Sequence, residues 1–145
     1  MPDGPAVLAI DPGREKCGVA VVACSAAGVL GFETAYHGVV RVDELGALVA
    51  ELVERFSPAA VIVGNGTNSA EIARIARDAT RIEPVIVDEG FSTIAARRRF
   101  FEENPPRGWR KLVPLSLQTP GVAYDDYVAV ILAEQYLAAR ELKNP

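Results

Sequence analysis

Hydrophobic and polar positions divide the chain into two regimes. Four apolar residues, Val7 to Ile10, run straight into Asp11. After the Pro12-Gly13 turn a second apolar run, Gly18 to Ala23, leads to a turn at Ala26 to Gly28. Val29 to Val40 reads as a third strand, bent at Gly31 or Gly38. Three successive strands with short connections predict an antiparallel meander. The period then changes. Leu45, Leu48, Val49, Leu52, Val53 and Phe56 recur at the spacing of an amphipathic helix, with Asp43 as its N-cap and Ser57-Pro58 as its stop. Ala60 to Val63 is short and wholly apolar, as a buried parallel strand should be. A second helix follows, with Asn68 and Glu71 spaced as a capping box. Its inner face is Ile72, Ile75, Ala76, Ala79 and Ile82, and Arg74, Arg77 and Arg81 turn outward. Val85 to Val87 is the next buried strand. Ser92 caps a third helix running to about Glu103. A Pro-rich loop spans Asn104 to Gly121. The last helix starts near Val122 to Asp125 and turns Val128, Ile131, Leu132, Gln135 and Tyr136 inward. This order predicts an α/β layered domain with a mixed five-stranded sheet.

Composition narrows the class. A chain of 145 residues, half of them hydrophobic, suits one domain spanning residues 1–145 with a sizeable core. No run approaches the ~18 apolar residues of a membrane span. Asp3 stands where a leader would carry positive charge, so a cytoplasmic protein with no membrane partner is the expectation. Cys17 and Cys24 bracket one strand. That length of extended chain covers roughly 23 Å, beyond disulfide reach, and their odd spacing points them to opposite faces. Both are expected as buried thiols. With a single histidine, His37, an ordinary zinc site is excluded. The net charge of −4 argues against a protein that coats nucleic acid passively, but not against an enzyme with local basic patches. Arg97, Arg98, Arg99, Arg107, Arg110 and Lys111 supply such a cluster, which a solvated helix face and loop would equally explain.

The carboxylates carry the chemistry. Asp11 ends the first strand, Asp88 and Glu89 end the last, and Asp125 and Asp126 head the final helix. Taken singly, Asp11 is a turn starter and the last pair favours a helix N-terminus. Taken together, they fall where open α/β sheets bind ligands, beyond the carboxyl ends of strands. If the first and last strands are neighbours, Asp11 and Glu89 converge. Carboxylates about 4 Å apart repel by about 4 kcal/mol per pair at an effective dielectric near 20. A divalent cation with hard oxygen ligands, Mg²⁺ or Mn²⁺, would offset this and suit phosphodiester hydrolysis.

Four segments resemble the YqgF/RuvX family, the RuvC-like resolvases and pre-16S rRNA nucleases of the RNase H-like superfamily. "LAIDPGREKCGVAVV" is similar to the family's opening strand, Asp-x-Gly and Gly-Val-Ala. "VIVGNGTNS" resembles its central strand and turn, "VIVDEGFSTIAARR" its Asp-Glu-Arg-x-Ser/Thr-Thr segment, and "YDDYVAVILAEQYL" its final helix. All four occur in the family's order and cover nearly the whole chain. The resemblance implies an RNase H-like fold: a mixed sheet whose first three strands form an antiparallel meander and whose last two run parallel to the first, with helices on both faces. It implies catalytic, metal-binding roles for Asp11, Glu89 and Asp125, with Asp126 as a spare ligand. Three features depart from the pattern. The family's Asp-Glu-Arg is Asp88-Glu89-Gly90 here. The turn after the central strand is shortened to Gly-Asn-Gly-Thr, closer to the related domain of Tex-type RNA-binding proteins. The linker from Asn104 to Tyr124 is atypical.

The function this predicts is a divalent-metal-dependent nuclease acting on branched DNA or on structured RNA such as ribosomal precursors. Arg14 and Lys16 would meet phosphate just past the first acid, and Thr93 and Arg97 would touch the nucleic-acid backbone. Arg107, Arg110 and Lys111 would replace the missing arginine, and Trp109 would either stack on a base or pin its loop to the core. A junction resolvase needs two sites, so a homodimer would favour that substrate. The alternative is a non-catalytic RNA- or ribosome-associated binding module on the same fold, favoured by the lost arginine and the acidic balance. A nucleotide-binding enzyme, suggested by Gly64-Asn65-Gly66-Thr67 before a helix, lacks the phosphate-loop pattern.

Overall fold

The computed structural model describes residues 4–29, 32–88 and 125–143, the side chains of 26–29, 125–127 and 139–143 excepted. Its strands are β1 (Ala6–Asp11), β2 (Lys16–Val29), β3 (Phe32–Arg41), β4 (Ala60–Gly64) and β5 (Val85–Val87). Its helices are α1 (Val42–Phe56), α2 (Ser69–Thr80) and α3 (Asp125–Lys143). The expected helix at Ser92 and the Pro-rich loop lie outside the described residues.

The five strands form one sheet in the order β3-β2-β1-β4-β5. β1 pairs antiparallel with β2, and β2 with β3. β4 lies parallel to β1, and β5 parallel to β4. The mixed sheet read from the sequence is therefore present. The conditional neighbouring of the first and last strands is not, because β4 lies between them. α1 carries the chain from β3 to β4 and α2 from β4 to β5, so two parallel strands are reached through helical crossovers, as parallel pairing requires.

Strand periodicity separates two cores. Leu8, Ile10, Cys17, Val19, Val21, Val61 and Val63 pack with Leu45, Val49, Leu52, Ile72, Ala73 and Ala76 of α1 and α2. Val7, Ala9, Ala20, Val22, Ala60 and Ile62 pack with α3 on the opposite face. Small residues predominate on that second face, so α3 can lie close to the sheet. Val128 to Ala133, Glu134 and Leu137 of α3 are buried. Gln135, expected to point inward, is exposed. A helix buried on most of its circumference leaves a weak amphipathic signal, and no stripe of polar positions marked its outer side.

Other expectations are corrected at the ends of elements. β2 continues to Val29 with register shifts at Val21/Val22 and Cys24/Val29, where a turn at Ala26 to Gly28 was expected. The pattern of small residues there carries too little side-chain information to set a strand end. Asp43 does not cap α1. The cap position is Arg41, and Asp43 sits in the first turn, accepting two hydrogen bonds from the Arg41 guanidinium. At the other end Ser57, in a left-handed conformation, donates its N–H to the Val53 carbonyl and stops the helix. β5 is not buried, since Val85 and Ile86 are 42% and 50% exposed at the sheet edge. Cys17 is buried while Cys24 is half-buried, and the two are not disulfide-bonded and lie on opposite faces.

Candidate active site

Asp11 is the last residue of β1, the middle strand of the sheet, and it is half-buried. Register fixes what stands beside it. Ile10 is level with Val63, and Gly64 with Val87, so β1, β4 and β5 end together at one edge. The next residue after β4 is Asn65, and the next after β5 is Asp88. Asn65 donates its backbone N–H to the Val87 carbonyl at 2.9 Å. Its side-chain amide reaches an Asp88 carboxylate oxygen at 3.5 Å, at the weak end of hydrogen bonding. Strands lie about 4.8 Å apart. With β4 between them, the β1 and β5 backbones are therefore about 10 Å apart, and Asn65 occupies the interval.

The loop after Asp11 is held from both sides. Gly13 accepts a hydrogen bond from the Asn68 side chain at 3.1 Å, and Glu15 accepts one from the Val42 N–H at 2.9 Å. These ties attach the β1–β2 loop to the starts of α2 and α1. Asn68 has φ 69° and forms no side-chain cap, so the capping box read with Glu71 is absent; Glu71 instead pairs with Arg74. The left-handed backbone turns the Asn68 amide away from its own helix, and asparagine tolerates that conformation better than most residues. Gly13 is required locally, because a Cβ there would collide with the Lys16 carbonyl.

Cys17 lies beneath this loop. Burial pushes its thiol up from the ordinary value, a hydrogen bond with the Gly13 backbone opposes the rise, and the negative charge of Asp11 adds to it. The thiol thus stays protonated beside the candidate acid. Arg14 and Lys16 are exposed on and just after the loop.

Asp125 and Asp126 occupy the first turn of α3, and their side chains lie outside the described residues. Glu89, Thr93, Arg97, Arg107, Trp109, Arg110 and Lys111 also lie outside them. Among the described residues no group of three His, Cys, Asp or Glu side chains is close enough to hold a metal ion. Asn65 and Asn68 are contributors that sequence reasoning missed. The only local signal for the two asparagines is their place in a glycine-rich strand-end turn.

No family model matches the sequence, and comparison with curated proteins finds no relative. Solved structures do match. Thermus thermophilus RuvC in complex with a Holliday junction substrate aligns with a TM-score of 0.61 at 20% identity, over 94% of this chain and 96% of that one. The fold is RNase H-like. The fowlpox virus Holliday junction resolvase aligns at 0.55 and 12% identity, covering 93% of this chain and 99% of that one. Its complex with junction DNA aligns at 0.57 and 11%, covering 93% and 98%. In this RNase H-like sheet, Asp11 ends the middle strand, and β4 beside it ends in Gly64-Asn65 without a carboxylate.

Proposed function

We propose that the protein is a divalent-metal-dependent nuclease of the YqgF/RuvX type, hydrolysing phosphodiester bonds in branched DNA or structured RNA. The observation that carries this reading is a near full-length RNase H-like fold with a half-buried acid, Asp11, at the end of its middle strand. The solved structures that support branched DNA as substrate hold Holliday junctions.

The donor chemistry fits a hard cation. Asp11 offers carboxylate oxygen, and the neighbouring sulfur of Cys17 is kept as a thiol rather than a softer thiolate ligand. In this reading Asp11, Glu89 and Asp125 hold Mg²⁺ or Mn²⁺, with Asp126 beside them. Bound there, such an ion would supply Lewis-acid chemistry for phosphodiester hydrolysis. Asp11 acts from the end of β1, where the loop that follows it is tied to two helices, so its position is set before substrate arrives. Asn65, at the end of β4, orients Asp88. Arg14, Lys16, Thr93, Arg97, Arg107, Arg110 and Lys111 hold backbone phosphates, and Trp109 stacks on a base.

The test is cleavage of a four-way DNA junction and of structured RNA, with Mg²⁺ or Mn²⁺, by wild type and Asp11→Asn. The variant should lose more than the ~100-fold that removal of an outer-shell metal partner costs, and a chelator should stop the wild type. Equal cleavage by both proteins overturns the reading, and cleavage by neither leaves a binding module on the same fold.

A further inference from the structure

An open cleft of about 600 Å³ lies between the β1–β2 loop and the start of α1, lined by Arg14, Glu15, Lys16, Arg41, Val42, Asp43 and Ile75. Its volume falls within the range of sites that take small ligands. Among the described residues three cations face two acids there, an excess of one positive charge in a chain whose net charge is −4. Lys16 and Arg41 are direct register partners across the β2–β3 ladder. Like charges placed opposite one another in a sheet are unfavourable, and an anion lying over both would reverse the sign of that interaction. Arg14 sits between Gly13 and Glu15, the two loop residues whose carbonyls are tied to α2 and α1. The third cation is therefore presented from a fixed backbone. Among the described residues Arg41 forms an ion pair with Asp43 at 3.1 Å, with both side chains largely exposed. An exposed pair of this kind is weak and exchanges readily for a phosphate oxygen.

We propose that this cleft is a phosphodiester-backbone site, in which Arg14, Lys16 and Arg41 grip the nucleic-acid strand next to the bond presented to Asp11. Asp11 and Arg14 are three residues apart, no more than about 10 Å along the chain, so adjacent phosphates of one strand span the interval. The proposal rests on the nuclease reading for its substrate, but it is a statement about binding and is measured without cleavage.

The experiment measures binding of a labelled four-way DNA junction, in Ca²⁺ or without divalent ion, between about 50 and about 200 mM salt. The wild type is compared with Arg14→Gln, Lys16→Gln, Arg41→Gln and the triple variant. Each single change should lower the slope of log affinity against log salt by about 1, and the triple change by about 3. Asp43→Asn, which releases Arg41, should tighten binding about threefold, a gain that loss of structure cannot imitate. Thermal unfolding confirms that each variant folds. Arg74→Gln/Arg77→Gln, on the outer face of α2, should leave the slope unchanged. A triple variant with wild-type slope and affinity overturns the proposal, as does an equal loss in the Arg74/Arg77 variant. Competition by inorganic phosphate at the same concentration of phosphate groups as the junction would also overturn it, in favour of a free-phosphate site. If the wild type cleaves nothing yet the slopes change as stated, the nuclease reading falls and the cleft stands. If Asp11→Asn abolishes cleavage while the triple variant binds normally, the reverse holds.

Discussion

Asn68 donates its side-chain amide to the carbonyl of Gly13, 55 positions earlier in the chain, at 3.1 Å. The bond joins the first residue ahead of α2 to the turn that follows Asp11. It makes the position of the candidate acid depend on a helix that contributes no acid of its own to the site.

Removing that amide should loosen the loop. Asn68→Gly keeps the left-handed backbone accessible and leaves the partly buried Gly13 carbonyl without this donor, at a cost of about 1 to 2 kcal/mol. Asn68→Ala adds the strain of a Cβ at φ 69°, roughly another 1 kcal/mol. Urea unfolding should rank wild type above Asn68→Gly and Asn68→Ala lowest. An alanine variant as stable as wild type would show that the bond contributes nothing.

Gly46 lies inside α1, where glycine is costly. A Cβ built there would meet Ile75 Cγ2 at 3.7 Å and Ala79 Cβ at 3.9 Å, ordinary contact distances in the α1–α2 interface. Gly46→Ala should therefore stabilise the fold by about 0.5 to 1 kcal/mol through helix propensity. A lower thermal midpoint would mean that the two helices pack more tightly than these distances allow.

Stability should fall in alkali because of Cys17. Its folded pKa is raised by burial, so the native state keeps a proton that the unfolded state loses once pH passes about 9, the ordinary thiol value. With fewer protons on the unfolded chain, stability declines as pH rises, by up to about 1.4 kcal/mol per pH unit for one proton. Below that value the contribution is fully present. Unfolding curves from pH 7 to about 10 should show this slope in the wild type and a shallower one in Cys17→Ala.

The two ends of the hydrophobic pattern should differ sharply. Leu8 is fully buried between β2, β4 and the α1–α2 layer, and Leu8→Ala should cost about 2 to 5 kcal/mol. Ile86 sits at the sheet edge, half exposed, and Ile86→Ala should cost well under half as much. Comparable losses in chemical denaturation would mean that β5 is as deeply packed as β1.

Much of the architecture was legible in the amino acids alone. Val7 to Ile10 and Val61 to Val63 declared buried strands because every side chain is apolar, and both faces are covered. α1 and α2 were legible because each buries one stripe and wets the other. The last helix showed its position but not its faces, since Val128 to Ala133 are buried on every side. Asp11 stood out as an acid at the end of an apolar run. Its surroundings did not, because Asn65 and Asn68 reach the site through register and a helix end, which a linear pattern does not encode.

Local composition and periodicity determined the strand-rich first third, the helical middle, the pairing of apolar positions with two cores and the placing of acids at element ends. Those features follow from side-chain burial, which acts over a few residues at a time. Tertiary structure alone decided that β4 separates β1 from β5 and that Asn68 holds Gly13. It also set Lys16 opposite Arg41 across the ladder. Such relations are settled when whole strands choose their neighbours, because the free energy of a sheet depends on which faces meet and not on which residues are adjacent in the chain.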